Sequence, residues 1–365
     1  MFWVFVACLC QCGALWVASR LRPDLGKAVA PLAPPWLGGD VATSLLGSSP
    51  SSPSVWLFGD TLLGDSRRRI GAMPRNSVAW RLPGPPGPPL AHFWRPADAN
   101  QTGGFFNSAR QSEGNFLWAL TGACVNDTLF LLASEVRNAP FKPAPFQFEI
   151  LASTLIVVPH YSAAASPLDW KSTQHSLSFT NRHLQFGMAT SVSDGYLYLL
   201  GMRNQSDGVM MRVPLGELES CAASGLDSCA QFRSGGNWTR SFPGLDHLDT
   251  VIPNTPPETT ITWNALLQKW ILLDIPYLSK EIFVRLADSI DGPYSERLSI
   301  FTIPAPFNNS ALFFCYAPKM HAQLAASDKE LIFTFMSNAF NISELSNHTS
   351  IYVPQFVQTT ILSLT

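Results

Sequence analysis

The segment FGMATSVSDGYLYLL, residues 186–200, decides the fold. It opens on an aromatic residue, runs through small and β-branched residues, turns at Asp194-Gly195 and closes on a strongly apolar run. An Asp-Gly pair between two such runs signals a β-hairpin, because both residues tolerate positive φ in a tight turn. Four other stretches repeat the plan. Asp40 leads VATSLLG to VWLF at 55–58 across a Ser/Pro insert, and Trp118 leads ALTGAC through Asn126-Asp127 to LFLL at 129–132. Glu258 leads TTITWNALLQ to WILL at 270–273, and His321 leads AQLAAS through Asp328-Lys329 to LIFTF at 331–335. The step from opening residue to apolar strand is 11, 11, 12 and 10 residues in the units opened by Trp118, Phe186, Glu258 and His321, and 15 in the first.

The openings recur 78, 68, 72 and 63 residues apart, which is room for four strands and their loops in each unit. A sandwich also alternates strands and turns, but it does not repeat an opening residue in register. Pro and Gly interrupt nearly every window long enough for three helical turns. The expected fold is therefore all-β: a single five-bladed β-propeller over residues 36–361. The carboxy-terminal YVPQFVQTTILSL (352–364) pairs with the first unit or completes the fifth, and either arrangement removes an exposed edge. The Gly/Pro stretch at 81–90 reads as a stiff connection between strands.

Composition narrows the function. Lys and Arg number 24 against 26 Asp and Glu, a net charge of −2, with 14% of residues charged and 46% hydrophobic. Such a chain is neither a disordered polyelectrolyte nor a binder of nucleic-acid backbones, which needs a concentrated basic face. The sole basic run, Arg67-Arg68-Arg69, reads as a solvated turn. Nucleotide, phosphate-loop, zinc-protease and GxSxG motifs do not occur, so no cofactor is expected and no residue is assigned to a metal. A structural calcium on the propeller axis is compatible with the fold, but no acidic run specifies one.

From Met1 to Ala18 the only strongly polar side chain is Gln11, and Val17-Ala18-Ser19 precede Arg20 and Arg22. That pattern suits a signal peptide over residues 1–19 and a secreted or secretory-lumen protein; left uncleaved, the same segment would be a membrane tether. Cys8, Cys10 and Cys12 fall inside it. Cys124, Cys221, Cys229 and Cys315 remain, and the closeness of Cys221 to Cys229 favours a local bridge, leaving Cys124 with Cys315. Seven Asn-X-Ser/Thr sequons, at Asn100, Asn126, Asn204, Asn237, Asn308, Asn341 and Asn347, fit the same compartment if they are exposed glycosylation sites.

In a propeller the first strand of every blade lines the axis, so Asp40, Trp118, Phe186, Glu258 and His321 are expected around one mouth. Two carboxylates, an imidazole and two aromatic rings suit carbohydrate: the rings stack on sugar C–H faces and the carboxyls supply acid–base chemistry.

The stretches WLGGDVATSLLG (36–47), VWLFGDTLLGD (55–65) and MPRNSVAW (73–80) resemble a family of secreted five-bladed propellers long catalogued as a domain of unknown function, related to glycoside hydrolases and with some endo-D-arabinanase members. WNALLQKWILL behind Glu258, GPYSERLSIFTIP (292–304) and CYAPKMHAQLA (315–325) extend the resemblance over roughly residues 36–340. It implies a glycosidase acting on a polysaccharide, arabinan-like, with Asp40 as base or nucleophile, Glu258 as general acid and Asp60 as the electrostatic partner keeping that acid protonated. It further implies sugar or carboxylate contacts from Arg75 and Asn76, and a hydrogen bond from His321 to substrate or carboxylate. Trp118 and Phe186 would stack on sugar, although Ala119 and Ala322 stand where prolines are common in the family. The rival reading is a glycan-binding propeller without catalysis; the placement of the Asp40, Asp60 and Glu258 carboxylates discriminates, since the enzyme reading loses most of its support if they point away from a shared cavity.

Overall fold

The computed structural model of the protein describes residues 4–10, 13–29, 35–47, 52–81, 90–95, 103–143, 145–305, 307 and 311–364. Five antiparallel sheets follow one another along the chain. Blade one orders Thr43–Leu45, Ser54–Phe58, Ser77–Arg81 and Ala91–Phe93, and blade two orders Asn115–Val125, Thr128–Asn138, Phe148–Val158 and Thr173–Ser176. Blade three runs Leu184–Ser193, Tyr196–Arg203, Asp207–Pro214, Gln231–Ser234 and Asn237–Thr239, and blade four Thr260–Asn264, Lys269–Asp274, Glu281–Ala287 and Leu298–Thr302. Blade five is built from Phe313–Met320, Glu330–Ala339 and Gln355–Leu364, extended outward by Gly13–Leu21 and Val4–Cys10. A small sheet of Trp36–Gly39, Thr61–Gly64 and Ile70–Ala72 accompanies blade one.

The first strands touch in sequence around a ring, and the first strand of blade five returns to that of blade one. This is the expected five-bladed propeller. The apolar runs become second strands because those strands are covered on both faces by neighbouring blades: Thr128 through Glu135 and on to Val136 are all buried. Leu132 and Leu155 of blade two pack with Phe186, Leu197 and Met211 of blade three in one such layer.

Unit five departs from the expected register. Its first strand is Phe313–Met320, upstream of His321, and residues Ala322–Leu324 form a single 3-10 turn. The carboxy-terminal strand completes blade five by pairing with Glu330–Ala339. Its other edge is covered by Gly13–Leu21, with Leu15 and Val17 each 1% exposed and Ser19 Oγ bonded to Ile300 O at 2.7 Å. The apolar, small-residue pattern expected of a leader serves equally well as a strand. Among the described residues no helix is long and apolar enough to cross a membrane.

Cys221 and Cys229 are bridged. The expected Cys124–Cys315 bridge does not form: the two lie on the first strands of blades two and five, and both are free. The sequon asparagines 126, 204, 237, 341 and 347 are exposed, whereas Asn100 and Asn308, like most of the Gly/Pro stretch, lie outside the described residues.

Candidate active site

Two of the expected blocks interlock at blade one. Asp40 N donates to Asp60 O at 3.2 Å and Gly59 N to Asp40 O at 3.1 Å, which sets the two aspartates side by side. A Cβ on Gly59 would stand 2.3 Å from Asp40 Oδ1, so the glycine of the GDT block is the space the carboxyl occupies. Thr61 Oγ1 bonds Ser77 Oγ at 2.7 Å, tying GDT to RNS. Backbone at the mouth is locally left-handed at Val41 (φ 66°), Glu258 (φ 62°) and Ala317 (φ 47°), none of them glycine. Such positions are costly and persist where a side chain must be aimed.

Asp60 accepts from Trp118 Nε1 at 3.0 Å and pairs with Arg75 at 3.5 Å, and the Arg75 guanidinium lies 4.4 Å from the Phe116 ring centroid. Asp40 Oδ2 accepts from the Tyr316 hydroxyl at 2.9 Å, and the Tyr352 hydroxyl also bonds this carboxyl. Asp40 Oδ1 is buried without a partner. Glu258 faces the Lys319 ammonium, whose Nζ donates to Thr259 O at 3.0 Å.

Burial, with added repulsion from Asp60 and Glu258, pushes the Asp40 carboxyl well above the usual carboxylate range. Burial also raises Asp60, against the pull of Arg75 and Trp118, and raises Glu258 against Lys319. Lys319 is itself lowered to about 8 by burial, with Glu258 opposing, and so stays mostly protonated at neutral pH. Three carboxyls thus face two cations. Arg75 answers Asp60, Lys319 answers Glu258, and Asp40 has only hydroxyl partners.

A family profile described as "Domain of unknown function (DUF5005)" matches residues 33–360. The chain belongs to this family. No curated protein matches it. Among solved structures, the DUF5005 chain is similar to a "putative hydrolase" from Bacteroides ovatus, with a TM-score of 0.71 and 17% identity over 94% of this chain and 90% of that one. It is also similar to a GH43_1 enzyme from Xanthomonas citri, with a TM-score of 0.50 and 10% identity over 93% and 92% of the two chains. At these identities the likeness is one of fold, a glycosidase-like propeller.

Within this DUF5005 propeller, Asp40, Asp60, Glu258, Arg75 and Trp118 come together, and three other expected contacts do not join them. Phe186 is 0% exposed between blades, packed edge-on to Phe179 at 5.9 Å, because the strand turns its side chain from the axis into the inter-blade layer. His321 is also fully buried: it stacks on Trp56 at 4.6 Å and bonds Ser44 and Thr334 at 2.7 and 2.9 Å. Burial, with Lys319 nearby, lowers its pKa to about 3, so the ring is a neutral core residue. Asn76 is a clasp rather than a sugar contact; its amide bonds Phe106 N and O and Leu117 O at 2.7, 2.9 and 2.8 Å.

Three residues at the mouth escaped sequence reasoning. Tyr316 and Lys319 lie in CYAPKM, and taking that segment as the first strand of unit five would have found them. Tyr352 reaches Asp40 from the connection between the second and third strands of blade five, and no local pattern marks it.

Proposed function

We propose that this protein is a secreted glycoside hydrolase cleaving a glycosidic bond by paired carboxylates, with arabinan-like polysaccharide as the first substrate class to test. The supporting observation is the three mutually repelling, recessed carboxyls of Asp40, Asp60 and Glu258, drawn from blades one and four to one mouth and answered by only two cations. Such a set holds at least one carboxylic acid beside at least one carboxylate near neutral pH, which is what glycoside cleavage requires.

Glu258 acts as general acid toward the leaving oxygen and Asp40 as general base toward water. Asp60 is the fixed charge between Arg75 and Trp118. The pair needs one proton in total. Asp40, raised furthest and without a cation of its own, favours that proton most, and Glu258 carries it when substrate brings a basic oxygen to Glu258 and a water to Asp40. Arg75 and Trp118 offer a guanidinium and an indole face to the sugar.

The secretory reading is supported by the exposed sequons and the Cys221–Cys229 bridge.

The test is a panel of arabinan, fructan, galactan and sialylated glycans, followed by aryl glycosides of whichever sugar is cleaved. Glu258→Gln should lose 10²-fold or more on poor leaving groups and little on activated aryl groups, on the order expected for general acid catalysis. Asp40→Asn should lose on both. The opposite pattern exchanges the two roles, and no cleavage by the wild type across the panel removes the reading.

A further inference from the structure

In each blade the face where the first strand begins is also where the second strand ends and the third begins. The carboxylates and the loops after the second strands therefore share one mouth. Phe146 stands two residues before the third strand of blade two. Its ring lies 6.2 Å from Phe148 of the same blade, 5.9 Å from Tyr277 of blade four and 6.2 Å from Phe314 of blade five. Blade three separates blade two from blade four, and blade one separates it from blade five. A side chain that touches both partners crosses the mouth rather than following its rim.

The crossing is anchored at both ends in the site. Phe148 packs on Trp118 at 4.7 Å, the tryptophan that bonds Asp60. Phe314 packs on Tyr316 at 5.4 Å, the tyrosine that bonds Asp40. Phe314 precedes Tyr316 on its strand and so lies nearer solvent than the hydroxyl on Asp40. The turn beneath Phe146 is held by Phe146 N to Pro143 O at 3.0 Å, Ala139 N to Gln147 O at 2.8 Å and Lys142 Nζ to Phe148 O at 2.8 Å. Phe146 and Tyr277 nevertheless keep 39% and 64% of their surface exposed, leaving ring faces for a ligand.

We propose that Phe146, Tyr277 and Phe314 form an aromatic strap that turns the mouth into a pocket for one terminal glycosyl unit, so that the protein acts on chain ends and not on the interior of a polymer. This rests on the glycosidase reading for the chemistry, but the strap itself rests on the ring contacts. A polymer bound through its middle needs an open groove on both sides of the scissile bond. A strap across the mouth closes one side and stacks its rings on the apolar face of the end sugar.

The experiment measures binding, without turnover, on Asp40→Asn protein. Arabino-, xylo- and galacto-oligosaccharide ladders of one to six units are titrated by calorimetry. The strap predicts that affinity stops rising at the second unit. In the same protein carrying Phe146→Gly and Tyr277→Ser, affinity should go on rising at least tenfold between two and six units. In a separate Phe146→Cys/Tyr277→Cys protein, a short bifunctional maleimide should link the two blades, read by mass spectrometry of the joined peptides; rings that meet in mid-span leave their Cβ atoms too far apart for a direct disulfide. A tenfold rise with length while the strap is intact, no ladder bound at all, or no cross-link overturns the proposal. Failure of the glycosidase reading shows separately, as absent hydrolysis by the wild type, while the binding and cross-linking results still stand.

Discussion

Asp40 carries the largest electrostatic conflict at the mouth. Its folded carboxyl titrates above its unfolded one, so the folded state binds more protons over that interval. The stability it contributes is present below about pH 4 and is lost as pH rises through the folded value. Asp40→Asn should therefore melt higher than wild type at pH 7–8, with the gain vanishing below pH 4; a lower melting temperature at pH 8 would contradict the charge accounting. His321 has the opposite sign. Its imidazole is held near 3 against 6.5, so stability present above about pH 6.5 is lost as pH falls toward 3. Measured by urea unfolding, the advantage of wild type over His321→Gln should shrink by about 2 kcal/mol between pH 7 and pH 5. The sequence made Asp40, Asp60 and Glu258 legible, because a carboxylate at a repeat position or in a GDT block is visible in one dimension. It did not reveal which way Phe186 points, since the face is decided at an irregularity where Gly187 and Met188 have no partners and the register of the strand pair shifts between Phe186 and Ala189.

Hairpins were the most legible elements, because turn chemistry and apolar second strands are local. The fifth unit was misregistered because His321 and its Ala-rich run imitate an opening, while the true first strand carries Pro318 at a register shift between Tyr316 and Lys319. The RNS block shows how one element fastens two blades. Asn76 bonds the Leu117 carbonyl of blade two from blade one, and Asn76→Ala leaves Phe106 N–H buried and unpaired. That substitution should cost about 3 kcal/mol in denaturant unfolding, and less than 1 kcal/mol would show that the clasp is dispensable. The edge strand Gly13–Leu21 poses a sharper question, since it coincides with the expected leader. Removing residues 1–19 uncovers the edge of Gln355–Leu364 and takes Leu15 and Val17 out of the core, at roughly 1.5–3 kcal/mol for each side chain. The truncated protein should melt several degrees lower with its mouth intact, and an unchanged melting temperature would show that blade five stands on its three inner strands.

At the scale of the molecule, the ring does for the carboxylates what no single blade does. It brings Asp40, Asp60 and Glu258, separated by some two hundred residues of chain, within reach of one another's charge, while keeping Lys319 and Arg75 one to each of two carboxyls. The ring was legible from repeat spacing, whereas the cation count was not, since Lys319 matters only once blade five closes against blade four. The central claim is that these carboxyls work as one hydrolytic unit. The most direct measurement is the initial rate on the best substrate of the glycan panel for wild type, Asp40→Asn, Glu258→Gln and the double variant, with circular dichroism confirming that each is folded. Both single variants should fall to background on the unactivated glycan and the double variant no further, as expected of residues acting together. Near-normal hydrolysis by either single variant would contradict it.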